Sequence, residues 1–268
     1  MRVDKPALKL VATDLDGTLL HTDGTVTTRT REVLTAIEDI GITVVFVTGR
    51  PIRWMEDLWE HVGGHGLAIC SNGGIVYDVR ARAVSKSRPI PVEVAREVAD
   101  VLRRAIPGTT FALEKTDGFA REPGFMPRIP PPTGVDIGPL AEIIDGDVVK
   151  LLARHEDVEP ERFWAEVDSH VGHAVTTTWS STGALVEISA EGVSKASTLG
   201  LLCDERKLGA EQVVAFGDMP NDLPMLGWAG TSYAMANAHP LVRALADHLA
   251  PSNEHDGVAV ILEQLFGI

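Results

Sequence analysis

Short apolar runs, each closed by a polar turn, alternate along this chain with stretches in which apolar residues recur at helical spacing. Residues 8–12, 42–47, 67–71, 212–216 and 233–236 are continuous, largely β-branched or aliphatic runs of strand length, bounded by Gly, Asn, Asp or Thr. Between the first two, residues 29–40 carry Val33, Ile37 and Ile40 on one face and stop at Gly41. Strand, helix and strand within about 40 residues make a right-handed, parallel βαβ unit. Trp54, Leu58 and His61 suggest a further helix. Another is expected from a Ser194 cap through Leu199 and Leu202 to Gly209, and two more over 240–246 and 258–266. The pattern predicts an α/β fold, a doubly wound parallel sheet of the Rossmann-like kind, over residues 1–87 and 190–268.

The texture changes between residues 88 and 189. Prolines cluster there, and strand-like pieces at 109–113, 148–152, 174–178 and 184–188 alternate with helical ones at 92–105 and 160–171. This reads as an α+β cap domain inserted into the α/β core. It holds ten Lys and Arg against seventeen Asp and Glu. So acidic an insert is not the main cradle for a phosphate, and its expected task is to cover the core site and select the rest of a substrate. Lys115, Arg121 and Arg128 are its candidate contacts.

Charge narrows the partners. A formal net charge of −14 and a pI near 5.0 argue against nucleic acid and against an anionic membrane surface. Cys70 and Cys203 sit in or beside apolar runs without zinc-type spacing, as reduced core residues do. No signal-type segment opens the sequence and no run of about 18 apolar residues is present, so a cytoplasmic location is expected. No obligatory protein partner is evident. His61 and His65 have metal-like spacing, but Gly63 and Gly64 break the helix between them, which makes them surface histidines.

The candidate chemistry gathers at strand ends. Asp14-Leu15-Asp16-Gly17-Thr18 follows the first strand, and two like charges there need a cation, a shared proton or good solvation. Magnesium suits the first option, since it takes hard oxygen ligands and often only one or two carboxylates. An EF-hand loop is excluded, because the glycine comes fourth and Thr25 stands where the closing Glu belongs. Thr48-Gly49 follows the second strand, where a hydroxyl and free turn amides suit a phosphate oxygen. Asn72 ends the third, as a structural turn residue or a ligand contact. Lys195 opens a helix, an unfavourable place for a cation that hints at an anionic partner. Gly217-Asp218-Met219-Pro220-Asn221-Asp222 follows the fourth strand. Carboxylates, a hydroxyl and a lysine at neighbouring strand ends are what phosphoryl transfer through an acyl phosphate needs.

With these motifs in this order, the sequence resembles the haloacid dehalogenase-like superfamily, and the position of the insert makes it similar to the Cof-type, sugar-phosphatase-like members. The resemblance implies a phosphoric monoester hydrolase that uses Mg²⁺ and acts on small phosphorylated metabolites, sugar phosphates in particular. It implies Asp14 as nucleophile, Asp16 as general acid and base, and Thr48, Gly49, Lys195 and Asn221 around the phosphate. The metal would lie with Asp14, the Asp16 carbonyl and Asp218, supported by Asp222. Pro220 is a departure from the fourth motif. A phosphomutase of the phosphomannomutase type and a catalytically silent sugar-phosphate-binding regulator are the rival readings; the intact set of acids with Lys195 speaks against the second.

Overall fold

A computed structural model describes residues 7–55, 58–59, 66–127, 134–144, 146, 148–179 and 183–268. The chain divides into two compact units, Met1–Ser85 with Lys195–Ile268, and Lys86–Ser194.

The first unit is built on an eight-stranded sheet in the order β14-β13-β12-β1-β2-β3-β4-β5. Its strands are β1 (Leu10–Thr13), β2 (Thr43–Val47), β3 (Leu67–Cys70), β4 (Ile75–Asp78), β5 (Ala83–Ser87), β12 (Val213–Gly217), β13 (Thr231–Met235) and β14 (His248–Ala250). β1 is buried throughout and pairs in parallel on both sides, Thr13 standing opposite Phe216 and Phe46. The chain runs outward from β1 through β2 and β3, then resumes at β12 on the other flank. That reversal places a switch point between β1 and β12, where the crevice beyond the carboxyl ends receives ligands. The sheet is not wholly parallel: β4 runs antiparallel to β3 as the first half of a hairpin.

Helices fall where apolar spacing places them, with boundaries set by local chemistry. Thr28–Asp39 starts one residue before its expected first residue, because the Thr27 hydroxyl caps it by accepting from Thr30 N. The helix that opens at Lys195 closes at Glu205, short of Gly209; the chain turns instead through Lys207, whose φ is +57°. The helix expected through Trp54, Leu58 and His61 lies mostly outside the described residues, which show a 3₁₀ turn over Ile52–Trp54. His61, His65 and Arg128 lie outside them as well. β14 is missing from the hydropathy reading: it is three residues long, and His248 and Leu249 are exposed.

The second unit carries a six-stranded sheet, β10-β11-β9-β6-β7-β8, made of β6 (Thr110–Lys115), β7 (Phe119–Arg121), β8 (Asp136–Ile137), β9 (Val148–Arg154), β10 (Val175–Thr178) and β11 (Leu185–Ala190). Alternation sorts its faces. Phe111, Leu113, Leu151, Ala153, Val186 and Ile188 pack with helices Val92–Ala105 and Pro160–Val171. The opposite face holds Glu114, Lys150 and Glu187, all buried, with Lys150 Nζ 2.5 Å from Glu187 Oε1. Arg121 is committed to its own loop, donating to the carbonyls of Glu122, Pro123 and Phe125 at 3.1, 3.3 and 3.0 Å.

Candidate active site

Four turns meet at the carboxyl edge of β12, β1, β2 and β3. Asp14 follows β1, and its amide extends the ladder to Phe216 O at 3.1 Å, so its carboxylate is placed by backbone pairing. Asp14 is 5% exposed. Its Oδ1 accepts from Lys195 Nζ at 2.8 Å, and the same ammonium donates to Asp222 Oδ1 at 2.6 Å. Lys195 is 1% exposed and lies between two carboxylates, which are the anionic partners its place in the first helical turn calls for.

Asp218 is buried beside them and accepts from the Thr18 hydroxyl at 3.1 Å. Asp222 is completely buried, and its Oδ2 accepts from the amides of Asp218 and Met219, both at 3.0 Å. Carboxylate oxygens of Asp14, Asp218 and Asp222 all lie within 4.8 Å of one another. Close approach is written into the glycines. Gly17 has φ +72°, and a Cβ there would stand 2.3 Å from Asp218 Oδ2. A Cβ on Gly217 would lie 2.6 Å from Asp222 Cβ.

Thr48 is buried, and its hydroxyl accepts from Arg50 N at 3.0 Å, which leaves its own proton to donate. Gly49 lies under Asn72 and Asn221, whose side chains are bonded Nδ2 to Oδ1 at 3.1 Å. Asp16 lies beyond β1 in an isolated bridge with Leu20, and its charge adds to that felt by Asp14. Its side chain is 58% exposed and bound by Arg50, a residue to which the sequence reading gave no role. Thr18 and Asn72 are likewise within the constellation: Thr18 stands in the first motif without an assigned contact, and Asn72 ends the third strand as a turn residue or a ligand contact.

Burial and crowding set the electrostatics. Burial pushes the Asp14 carboxyl well above the usual range; Lys195 opposes this, while Asp222, Asp218 and Asp16 reinforce it. Asp218 is pushed up to about 7 by burial and the Asp222 charge, against Lys195 and the Thr18 hydrogen bond. For Lys195 burial acts to lower the pKa, but Asp14 and Asp222 outweigh it and hold the ammonium above its ordinary value. Three buried carboxylates facing one ammonium leave two negative charges, which a divalent cation would balance. The donors are all hard oxygens, as magnesium prefers. Asp222 already spends both oxygens on Lys195 and two amides, so Asp14 and Asp218 are the better ligands and Asp222 the residue that braces them.

Comparison with known proteins gives the family. The family model described as haloacid dehalogenase-like hydrolase matches residues 11–262. The pyridoxal phosphate phosphatase YbhA of Escherichia coli is 30% identical over 264 residues, 94% of this chain and 96% of its own. The 5-amino-6-(5-phospho-D-ribitylamino)uracil phosphatase YitU of Bacillus subtilis is 29% identical over 274 residues, 97% of this chain and 98% of its own. A haloacid dehalogenase-like hydrolase of known structure from Bacteroides thetaiotaomicron superposes with a TM-score of 0.75 at 25% identity, covering 97% of this chain and 100% of that one. The chain belongs to the haloacid dehalogenase-like hydrolases.

Proposed function

We propose that the protein is a Mg²⁺-dependent phosphatase of small phosphorylated metabolites that works through an aspartyl phosphate on Asp14. The observation that carries this reading is the buried cluster of Asp14, Lys195, Asp218 and Asp222, an over-charged anionic pocket with one fixed ammonium. A magnesium ion held by Asp14, Asp218 and the Asp16 carbonyl would supply the positive charge that phosphate oxygens meet on entry.

The protein's own groups carry the steps. Lys195 anchors Asp14 Oδ1, which orients the carboxylate, and its charge also meets the phosphate. Thr48 donates its hydroxyl proton and Gly49 its amide to the phosphate oxygens, with Asn221 beside them. A carboxylate oxygen of Asp14 forms a bond to phosphorus as the ester P–O bond breaks, and Asp16 gives its proton to the departing oxygen. Asp16 then takes a proton from a water that attacks phosphorus. The Asp14–P bond breaks, and inorganic phosphate and the Asp14 carboxylate are restored. Charge neutralisation and in-line placement supply most of the acceleration.

Substrate choice belongs, in this reading, to the inserted unit. Sugar phosphates remain the expected class, and the names of YbhA and YitU add phosphates that carry a heterocycle. The test is phosphate release from a panel holding hexose phosphates, pyridoxal 5′-phosphate and p-nitrophenyl phosphate, with and without Mg²⁺. Release of inorganic phosphate, as opposed to its return to the sugar, marks hydrolysis and not mutase chemistry. Asp14→Asn should keep the fold and lose activity by several orders of magnitude; near wild-type turnover would overturn the covalent route.

A further inference from the structure

The tetrapeptide Ser71-Asn72-Gly73-Gly74 ties together three turns of the candidate site. Ser71 N donates to Arg50 O at 2.9 Å and Asn72 N to Thr48 O at 3.0 Å, which fixes the turn after β2. The Thr198 hydroxyl, from the helix that opens at Lys195, donates to Gly73 O at 2.8 Å. Asn221 Nδ2, from the turn after β12, donates to Asn72 Oδ1 at 3.1 Å. Ser71 and Asn72 hold φ values of +52° and +55°, a left-handed backbone that residues with a side chain enter only when their surroundings hold them there.

A second observation points to a ligand. Asn221 is 7% exposed, and its Oδ1 has no hydrogen-bond partner among the described residues. One of its two Nδ2 protons is spent on Asn72, which leaves the second Nδ2 proton as a donor suited to an anion, while Oδ1, an acceptor, can face only a donor. Gly49 completes the packing. A Cβ there would stand 3.1 Å from Asn72 Oδ1 and 3.6 Å from Asn221 Nδ2, so a side chain at 49 would press on the asparagine pair.

We propose that Asn72 is a positioning residue: its Oδ1 fixes the Asn221 amide so that the second Nδ2 proton is presented to the transferred phosphate group. The inference rests on the reading of Asn221 as a phosphate contact. The torsion that turns an asparagine amide is broad, so without an anchor Asn221 would sample orientations useless to a phosphate. Asn72 supplies that anchor from a turn that is itself bonded to the Thr48 turn. Its effect therefore runs through Asn221 and should vanish when Asn221 is removed.

The probe is inorganic phosphate, read as a competitive inhibitor of p-nitrophenyl phosphate hydrolysis by the Mg²⁺-loaded enzyme. Asn72→Gly is the variant of choice, because glycine takes φ +55° without strain while losing the acceptor. Its phosphate inhibition constant should rise about three- to tenfold, the worth of one neutral hydrogen bond. In an Asn221→Ala background the same change should move the constant by less than about 1.5-fold, since coupled residues are non-additive. An equal rise in both backgrounds would show that Asn72 merely shapes the turn and would overturn the proposal, as would no rise in either. Wild-type inhibition in Asn221→Ala alone would instead remove the underlying reading of Asn221. If Asn72→Gly does not fold, Asn72→Ser, whose hydroxyl is too short to reach Asn221, serves the same cycle.

Discussion

Arg50 grips Asp16 with both arms of its guanidinium, Nε to Oδ2 at 2.7 Å and Nη2 to Oδ1 at 2.6 Å. Both carboxylate oxygens are engaged by that grip. The pair must open before Asp16 can serve as the acid. Asp16 is 58% exposed, so water can take over its hydrogen bonds as the pair opens. Arg50→Gln should therefore leave the Asp14 phosphorylation burst with a hexose phosphate within about threefold of wild type. Asp16→Asn should slow that burst by about 10²–10⁴ and the p-nitrophenyl phosphate burst far less, since a nitrophenolate departs unprotonated. Pre-steady-state kinetics with both substrates measure this. Equal slowing of the two bursts in Asp16→Asn would assign Asp16 to placing the loop.

Gly17 gives a steric test of how tightly the two acidic turns must close. Its left-handed φ and the 2.3 Å from a built Cβ to Asp218 Oδ2 mean that alanine there displaces Asp218. Left-handed backbone costs an alanine about 1–2 kcal/mol. Gly17→Ala should thus lower the melting temperature by a few degrees and weaken Mg²⁺ binding at least tenfold by calorimetry. Unaltered Mg²⁺ affinity in the folded variant would mean that Asp218 is not a ligand.

Lys195 is the sole cation bonded to Asp14 and Asp222 among the described residues. Removing one member of a buried ion network strands the others at a cost of about 3–5 kcal/mol. Lys195→Met should lose that much by urea denaturation at pH 7.5 and less at pH 5, where the stranded Asp14 carboxyl can take up a proton. The sign follows from Asp14, whose carboxyl burial already pushes upward and Lys195 restrains. A deficit independent of pH would indicate that lost packing of the lysine stem, and not charge, sets the cost.

The core was legible because its signals are local. Apolar runs that end in Asp14, Thr48, Asn72 and Asp218 are strands whose ends the parallel topology aligns, so the motifs converge without any knowledge of side-chain contacts. What the sequence did not disclose depends on which way a short turn rotates. The grip of Arg50 on Asp16 is one such case, since β1 stops at Thr13 and Asp16 lies beyond it. Arg50 follows Thr48-Gly49 and Asn72 ends the third strand, yet their side-chain partners are 34 and 149 residues away. Lys195 came nearest to a derivation, since a cation misplaced on a helix dipole has to find an anion. β14 escaped because its three residues include an exposed His248 and Leu249.

The last prediction joins the raised carboxyl pKa values to Mg²⁺. Asp218 is pushed up to about 7 in the folded chain by burial and by Asp222, and unfolding returns it to the ordinary carboxyl range near 3.8. The folded state then binds more protons than the unfolded one between those values, so stability without metal falls as pH rises through the window. Protons and Mg²⁺ compete for the same oxygens. The gain in melting temperature from Mg²⁺ should accordingly be small at pH 5 and grow toward pH 8. At a hundredfold excess over its Kd a ligand adds about 2.7 kcal/mol, several degrees for a chain of this size. Asp218→Asn cannot ionise, so it should make the metal-free pH slope shallower, leaving the share that the raised Asp14 carboxyl contributes, and remove most of the Mg²⁺ gain. Thermal scans of both proteins at pH 5, 6, 7 and 8, each with and without MgCl₂, make the comparison. A wild-type Mg²⁺ gain that is equal at all four pH values would separate the metal from this carboxylate. A variant that kept the gain would place the ion elsewhere.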